Sequence, residues 1–339
     1  MPYTRKLQKI GESLFVSLPK AWVRRVNLRQ GDAVKLVEQA DGSIAVYPET
    51  KEKNVEQTVL KVAPEESIRS LRRRITGAYV DGFDIIKLEA VENFTSEQYD
   101  AIREITEALF GLEIIEVTSN SITIQCLLTK TLPIERAIQR IHSIIRSMFS
   151  ETISALRERK PETAKDVVKR IRDVKRLSLV VHRLLRGLIL FPAEQALKPI
   201  DSVDFLRVID KIMEVSGAVR KIAESIIPRE EKVPNYLLKP LLEVSSKVLE
   251  LYDWSMQALM SKDVPLANRV LDEKLEPSFD DLWEMLQEAE DKTEISGLTF
   301  SYIHRIIDNL KQIHIYSLEI AEIAIDRAEE MPEEMLGSL

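Results

Sequence analysis

The feature that most constrains the fold is the spacing of apolar residues after Pro133. They recur there at steps of three and four residues, which is the period of one face of an amphipathic helix. Breakers divide this part of the chain into six predicted long helices, and long helices with short connections pack as antiparallel bundles. The breakers are Pro161, Pro192/Pro199, Pro228/Pro234, Val264-Pro265 and Gly297. Residues 133–330 are therefore predicted to form an all-α domain.

The helical part also contains an internal repeat. Short matches separated by 103 or 98 residues pair its first half with its second half. The matched segments are Ala155-Leu156 with Ala258-Leu259, Arg159 with Lys262, and Ile222-Ala223-Glu224 with Ile320-Ala321-Glu322. Independent matches at nearly one offset indicate a duplicated structural unit. We predict two three-helix bundles packed side by side, in repeats of about 133–228 and 234–327.

The first fifty residues have the pattern of short strands around one short helix. Turn residues at Gly11-Glu12-Ser13 and Asp41-Gly42 separate apolar runs, and Pro19 is suited to open a helix that Asn27 ends. The predicted elements are strands over Arg5–Ile10 and Leu14–Leu18, a helix over Lys20–Val26, and strands over Ala33–Gln39 and Ser43–Tyr47. A unit this small, residues 1–50, cannot bury enough apolar surface alone, so it is predicted to dimerise.

Residues 54–130 alternate between strand and helix patterns. This alternation predicts a small α/β unit with one sheet and two covering helices, whose strand order the sequence does not fix. Its elements are predicted over Val55–Val62, Pro64–Val80, Asp84–Ala90, Ser96–Phe110, Ile114–Val117 and Ser121–Leu128. The first helix carries Arg69, Arg72, Arg73 and Arg74. These arginines fit an extended DNA footprint or an anion site, and fit a solubilising surface equally well, so they are not assigned to a site.

Charge is distributed unevenly along the chain. The whole sequence has a net charge of −7, whereas residues 1–35 hold eight cations against Glu12 and Asp32, a local charge of +6. A basic end on an acidic body indicates that this end contacts phosphates while the remainder has another role.

The basic module resembles the AbrB/MazE/SpoVT swapped-hairpin family over about residues 3–48. The resemblance lies in Arg5–Lys20, in the Gly-Asp turn within Leu28–Val34, and in Asp41–Val46 with Pro48. It implies homodimers that exchange hairpins and DNA binding through basic residues of the first strand and the short helix. These residues are Arg5, Lys6, Lys9, Lys20, Arg24 and Arg25. Glu12 stands where some relatives have a basic residue. Two alternatives stay open: a solvated charged face, and the antitoxin branch, which uses this fold to hold a toxin.

The helical part resembles PhoU over roughly residues 134–327. The resemblance lies in Val174–Leu185, Ile212–Glu224 and Leu310–Glu322. It implies a role in controlling phosphate uptake, as in archaeal PhoU-like regulators that carry an AbrB-like head. The family's metal-binding carboxylates align with Met213, Gly217, Lys311, Ile315 and Lys175, so we expect no metal site and no cofactor. A shift of the alignment would instead bring Asp210 and Glu214 into place.

Other features argue against catalysis and membrane insertion. The sequence lacks a Gly-rich phosphate loop, a His-Glu-x-x-His motif and a Gly-x-Ser-x-Gly motif, so it is predicted not to be an enzyme. The four scattered histidines fit packed or surface helix positions better than metal ligands. The lone Cys126 is predicted to be a buried thiol. No apolar run is long enough to span a bilayer, and a cytoplasmic location is expected.

Together these patterns predict a multidomain transcriptional regulator. It comprises a swapped-hairpin head rich in β structure, a small α/β middle unit and a PhoU-like pair of three-helix bundles. The expected partners are double-stranded DNA, a second copy of the chain, and phosphate-transport or sensor proteins. The alternative is a PhoU-type interaction protein that contacts a transporter or sensor, with the head serving only as a dimerisation clamp.

Overall fold

The computed structural model describes residues 3–38, 42–48, 55–128, 133–190, 197, 199–227 and 233–329. Contacts between residues divide the chain into an N-terminal unit, whose described residues lie within 3–48, and a second unit, Val55–Glu330. The second unit contains both the middle α/β layer and the helical bundles.

The N-terminal unit consists of two hairpins and one short helix. Strands β1 (Gln8–Ile10) and β2 (Ser13–Phe15) are antiparallel, and β3 (Val34–Glu38) pairs with β4 (Ile44–Pro48). Helix α1 (Lys20–Arg25) lies between the hairpins. Gly11, with a φ of 65°, supplies the left-handed backbone that the first turn requires. Asp41, half of the predicted second turn, lies outside the described residues.

The first hairpin is shorter than predicted. Pairing extends only from Gln8 opposite Phe15 to Ile10 opposite Ser13, so Arg5–Leu7 and Val16–Leu18 lie outside the ladder. Apolar alternation predicted strands there, but a strand needs a hydrogen-bonding neighbour, and these residues have none within the described hairpin. Helix α1 begins at Lys20 as predicted, and Asn27 follows it with a left-handed φ of 56°.

The middle layer is a four-stranded sheet with two helices, as predicted. Its strands are β5 (Gln57–Val62), β6 (Ile85–Ala90), β7 (Leu112–Val117) and β8 (Ser121–Cys126), and its helices are α2 (Ile68–Asp81) and α3 (Ser96–Ala108). The strand order is β5-β6-β8-β7, with β5 and β6 parallel and the other pairs antiparallel. Strand β5, helix α2 and strand β6 thus form a βαβ crossover. Cys126 is buried in this core, as expected.

The helical part comprises seven helices among the described residues, one more than predicted. They are α4 (Ile134–Glu158), α5 (Pro161–Leu190), α6 (Pro199–Ile226), α7 (Asn235–Ser261), α8 (Val264–Asp272), α9 (Phe279–Asp291) and α10 (Gly297–Ala328). The predicted fifth helix is divided into α8 and α9. Pro277 lacks an N–H and disfavours helical geometry at Glu276, and Ser278 then caps α9 with a capping box. None of the helices described is long and apolar enough to cross a membrane.

The internal repeat is visible at the ends of α4 and α7. Arg159 and Lys262 follow these helices with left-handed φ values of 57° and 54°, and each N–H donates to the carbonyl four residues earlier, that of Ala155 and Ala258 respectively. Two helices that end in the same rare geometry at matched positions are what a duplicated unit predicts.

The two copies pack through equivalent helices. Helix α4 lies against α7, and α6 lies against α10. Ion pairs join α6 to α10, with Lys211 2.5 Å from Glu319 and Arg207 2.8 Å from Asp326. Buried aliphatic side chains from all seven helices form one continuous core, and the all-α fold predicted for this part of the chain is confirmed.

A buried arginine joins the middle layer to the first bundle. Arg183 on α5 is 5% exposed and donates to the carbonyls of Tyr79 and Phe83, at 2.7 and 2.9 Å, and to the Asp84 carboxylate at 3.1 Å. Its guanidinium also lies over the Tyr79 ring, 5.3 Å from the centroid. Because the donors of Arg183 meet acceptors on both sides of the α2–β6 connection, this contact fixes the sheet against the bundle.

Candidate nucleic-acid interface

The six predicted DNA-binding residues lie on the surface of the N-terminal unit. Arg5 and Lys6 precede β1, Lys9 is the middle residue of that strand, and Lys20, Arg24 and Arg25 belong to α1. All six side chains are exposed. Lys20 and Arg24 are four residues apart on the helix, so they share one face. The structure thus groups three of the residues on one short helix and three along one hairpin arm.

None of these six cations forms an ion pair with any residue that the structure describes. The Arg5 guanidinium donates only to the neighbouring Thr4 carbonyl at 3.3 Å and lies 6.0 Å from the Tyr3 ring centroid. By contrast, exposed cations of the second unit frequently have carboxylate partners. Examples are Arg72 with Glu104, Lys165 with Glu162, Lys169 with Asp166, Lys239 with Glu243, and Lys292 with Glu288. The N-terminal cations are therefore available to an external anion.

The residues that begin and end α1 account for the positions of its arginines. Pro19 precedes the helix in an extended conformation, and Arg24 and Arg25 occupy the last turn, where cations suit the negative end of the helix dipole. Beyond the helix, the Arg29 N–H donates to the Asp32 carboxylate at 2.6 Å, which closes the turn leading to β3. Glu12, exposed in the first hairpin turn, is the carboxylate nearest in sequence to Lys9.

The same unit exposes its apolar side chains. No described residue between positions 3 and 48 is buried, although the segment contains many large apolar residues. The most exposed of them are Leu7, Ile10, Leu14, Val16, Leu36 and Ile44, each more than half accessible. A unit without a core of its own requires a covering surface to be stable.

The four arginines of α2 differ from the N-terminal cations, because two of them have carboxylate partners. Arg74 donates to the Lys61 carbonyl at 2.9 Å and to Glu66 at 2.7 Å, and Arg72 lies 3.5 Å from Glu104. Two of the four charges are thus compensated within the middle layer, while Arg69 and Arg73 remain exposed.

The positions aligned with metal ligands lie on three helices. Lys175 is on α5, Met213 and Gly217 are on α6, and Lys311 and Ile315 are on α10. Asp210 and Glu214, which a shifted alignment would use, are exposed on α6. Across the part of the chain that the structure describes, no three His, Cys, Asp or Glu side chains are grouped as metal ligands.

The histidines occupy separate positions in the bundles. His142 lies 3.4 Å from Asp253 and against the Tyr252 ring, and burial lowers its pKa. Burial likewise lowers the pKa of His314, which packs on Phe279. His304 lies 3.3 Å from Asp308, four residues further along α10. Each of these rings has helix neighbours that account for it as a packed or surface residue.

A second basic surface was not anticipated from the sequence. Side chains of α4 and α5 and the residue Phe110 line a cavity of about 670 Å³. The lining residues are Phe110, Arg140, Ser143, Ile144, Ser147, Arg170, Asp173, Arg176 and Leu177. Its three arginines come from two helices, so no local sequence motif marks it.

Two parts of the chain match models of known families. Residues 7–54 match a model described as antidote-toxin recognition MazE, bacterial antitoxin, and residues 138–226 match the PhoU domain. The PhoU segment lies within the resemblance found over residues 134–327, and the MazE segment overlaps the one found over about residues 3–48 and extends to residue 54, so both resemblances are confirmed. The PhoU match covers the first of the two bundles.

Solved structures similar to the chain include two proteins from Shewanella oneidensis MR-1. A PhoU-like phosphate regulatory protein is 12% identical with a TM-score of 0.43, over 56% of this chain and 96% of that chain. A PhoU-like protein is 14% identical with a TM-score of 0.40, over 61% of this chain and 100% of that chain. No curated protein matches the sequence.

Proposed function

We propose that this protein is a DNA-binding transcriptional regulator of phosphate uptake. Two N-terminal units, paired as a homodimer, bind operator DNA, and the PhoU-like bundles control them in response to phosphate status. No catalytic role is included in this proposal.

The observation that carries the proposal is the set of six exposed cations, none of which has an ion-pair partner among the described residues. A cation that already has a carboxylate partner gains little from a phosphate, whereas an uncompensated one releases condensed counterions when it binds DNA. Arginine adds a planar fork that pairs with a phosphate or a guanine edge. A homodimer would present about twelve such cations, enough for strongly salt-dependent binding.

Homodimerisation is supported by the apolar surface of the same unit. Leu14 and Ile10 are exposed on opposite strands of the first hairpin, and Leu36 and Ile44 on the second. We assign this surface to a second copy of the chain, because the match to a MazE-type model covers these hairpins and the resemblance implies exchanged hairpins.

The phosphate-related part of the proposal rests on the PhoU match to α4–α6 and on the duplication of that unit in α7–α10. An effector can control the head only if it binds one arrangement of the molecule more tightly than another. A phosphate transporter or sensor protein, or a small ligand, would have that role.

A second candidate function uses the same surfaces without DNA. The matching head model is described as recognising a toxin, which is a protein contact, and exposed apolar hairpins suit such contacts. The head would then be a dimerisation clamp, and the bundles would contact a transporter or sensor directly.

A double charge reversal, Arg24→Glu with Arg25→Glu, separates the two candidates. In the DNA model it abolishes binding to a labelled fragment of the upstream region, because four cations per dimer become anions facing phosphates. Light scattering should still report a dimer, since neither side chain is needed to cover the apolar surface. The clamp model predicts no change in function.

A matched control is available on the bundles. Arg136→Glu with Arg172→Glu changes the net charge equally at two exposed positions of α4 and α5 and should leave DNA binding nearly unaltered. Equal loss of binding in both double variants would mean that net charge, not the head, governs the interaction.

A further inference from the structure

The cavity beside α4 and α5 has the composition of an anion site. Arg140 lies on α4, Arg170 and Arg176 lie on α5, and the hydroxyls of Ser143 and Ser147 lie between them along α4. Asp173 is the carboxylate in its lining. Arg170 is paired with Glu151, so Arg140 and Arg176 remain against one acidic side chain of the lining, which leaves the cavity positive.

The pairing of these arginines is incomplete. Arg170 forms an ion pair with Glu151 and donates to the Ser147 hydroxyl at 3.3 Å. Arg140 and Arg176, in contrast, have no carboxylate within ion-pair distance among the residues that the structure describes, and Asp173 contacts neither. The Nε atom of Arg176 is buried without an acceptor. A buried guanidinium N–H without an acceptor is costly, so Arg176 is not fully satisfied by the protein groups described around it.

The volume and the apolar lining of the cavity indicate an anion larger than orthophosphate. Its volume of about 670 Å³ is in the range of sites for organic ligands. Phe110 forms part of its wall with its side chain 46% exposed, and Ile144 and Leu177 add apolar surface. A hydrogen bond of 3.0 Å from the Tyr79 hydroxyl to the Phe110 carbonyl fixes the backbone that carries this ring. An exposed ring is a stacking surface for a nucleobase.

We propose that this cavity binds a nucleotide, with its phosphates on Arg140 and Arg176 and its base on Phe110. Guanidinium groups pair with phosphate oxygens through two parallel hydrogen bonds, which suits this role. Asp173 is suited to accept a hydrogen bond from a ribose hydroxyl or an exocyclic amine, since it would repel a further phosphate. Arg170 is paired with Glu151 and contributes to the wall of the cavity, so it is not assigned to the phosphates.

The cavity lies where the middle layer meets the first bundle, so a ligand bound there contacts both. Phe110 belongs to the middle layer, and the arginines belong to the first bundle, so a bound nucleotide would bridge the two. A regulatory role of that contact rests on the proposed function, but nucleotide binding itself does not, because it is measurable without DNA.

Isothermal titration of the full chain tests the proposal, with ADP, pyrophosphate and orthophosphate as probes in a buffer free of phosphate and sulfate. Arg140→Ala and Arg176→Ala should each weaken ADP binding about tenfold or more, since each removes charge-assisted hydrogen bonds. Arg136→Ala and Arg172→Ala, exposed positions one turn earlier on the same helices and outside the cavity, should change it less than about twofold.

Phe110→Ala separates the base from the phosphates. It should weaken ADP binding at least about fivefold through lost stacking and leave pyrophosphate binding unchanged. Circular dichroism melting of every variant shows whether it is folded, and the pyrophosphate titration of Phe110→Ala shows whether the arginines remain in place.

Several outcomes would overturn the proposal. These are no ADP binding at millimolar concentration, equal weakening by the control arginine variants, or orthophosphate binding as tight as that of ADP. Unchanged DNA binding in the Arg24→Glu, Arg25→Glu protein would contradict only the proposed function, so the two claims fail separately.

Discussion

Arg183 joins the middle layer to the first bundle within the second unit. It lies in an apolar stretch of α5, where burial of a charge is costly unless every donor is satisfied. Its guanidinium meets two carbonyls and the Asp84 carboxylate of the middle layer. This contact could not be predicted from the sequence, because Asp84 is 99 residues away and no local pattern connects the two.

Replacing Arg183 by Met should therefore lower the free energy of unfolding by about 3 kcal/mol, since it removes three buried charge-assisted hydrogen bonds to Asp84 and two carbonyls. Urea unfolding followed by circular dichroism measures the change. Arg186→Met is the matched control: Arg186 pairs with Asp81 at the surface of the same interface, and its loss should cost less than about 1 kcal/mol. Equal costs for the two variants would contradict the anchoring role of Arg183.

At the scale of elements, much of the fold could be predicted from the sequence. Breakers and apolar spacing locate the long helices closely, and the strands of the middle sheet are right within a few residues. The error at α8 and α9 arose because Pro277 was not recognised as a helix boundary. The strand order β5-β6-β8-β7 could not be predicted, because pairing between strands distant in sequence leaves no local periodic signal.

The ends of α4 and α7 yield a prediction that tests the repeat. Arg159 and Lys262 adopt the left-handed conformation, in which a Cβ atom clashes with the backbone and glycine does not. Arg159→Gly and Lys262→Gly should each raise the free energy of unfolding by about 0.5–1 kcal/mol. Arg159→Ala and Lys262→Ala, which keep the Cβ atom, should gain nothing; a gain in only one half would show that the two ends are not equivalent. Thermal or urea unfolding checks this.

At the scale of the whole molecule, the candidate interface was partly predictable. A charge of +6 in residues 1–35 marks the basic end, and the resemblance selects six of its residues. The sequence cannot show which cations already have partners. The structure pairs arginines such as Arg74 and shows no ion pair for the six within the described part of the chain. The arginine-lined cavity could not be predicted either, because it forms only when α4, α5 and the connection between α3 and β7 meet.

The exposed apolar surface of the N-terminal unit leads to a prediction about assembly. Leu14→Glu with Leu36→Glu places two carboxylates on each copy of the surface that the second copy is proposed to cover, and burying unpaired charges is strongly unfavourable. Sedimentation should show a shift from dimer to monomer at micromolar concentration. The Arg24→Glu, Arg25→Glu protein serves as the control and should remain dimeric. A dimer that survives both leucine substitutions would place the contact between copies elsewhere in the chain.

We propose that this acidic chain binds DNA through its basic head, and a salt titration of DNA binding is the measurement to make first. Fluorescence anisotropy would follow binding of the purified protein to a labelled upstream fragment and to a scrambled fragment between about 50 and 200 mM salt. We expect preference for the upstream fragment and an affinity that falls by about a thousandfold or more over this range, because six or more phosphate contacts give that salt dependence. No binding even at the lowest salt concentration would contradict the claim.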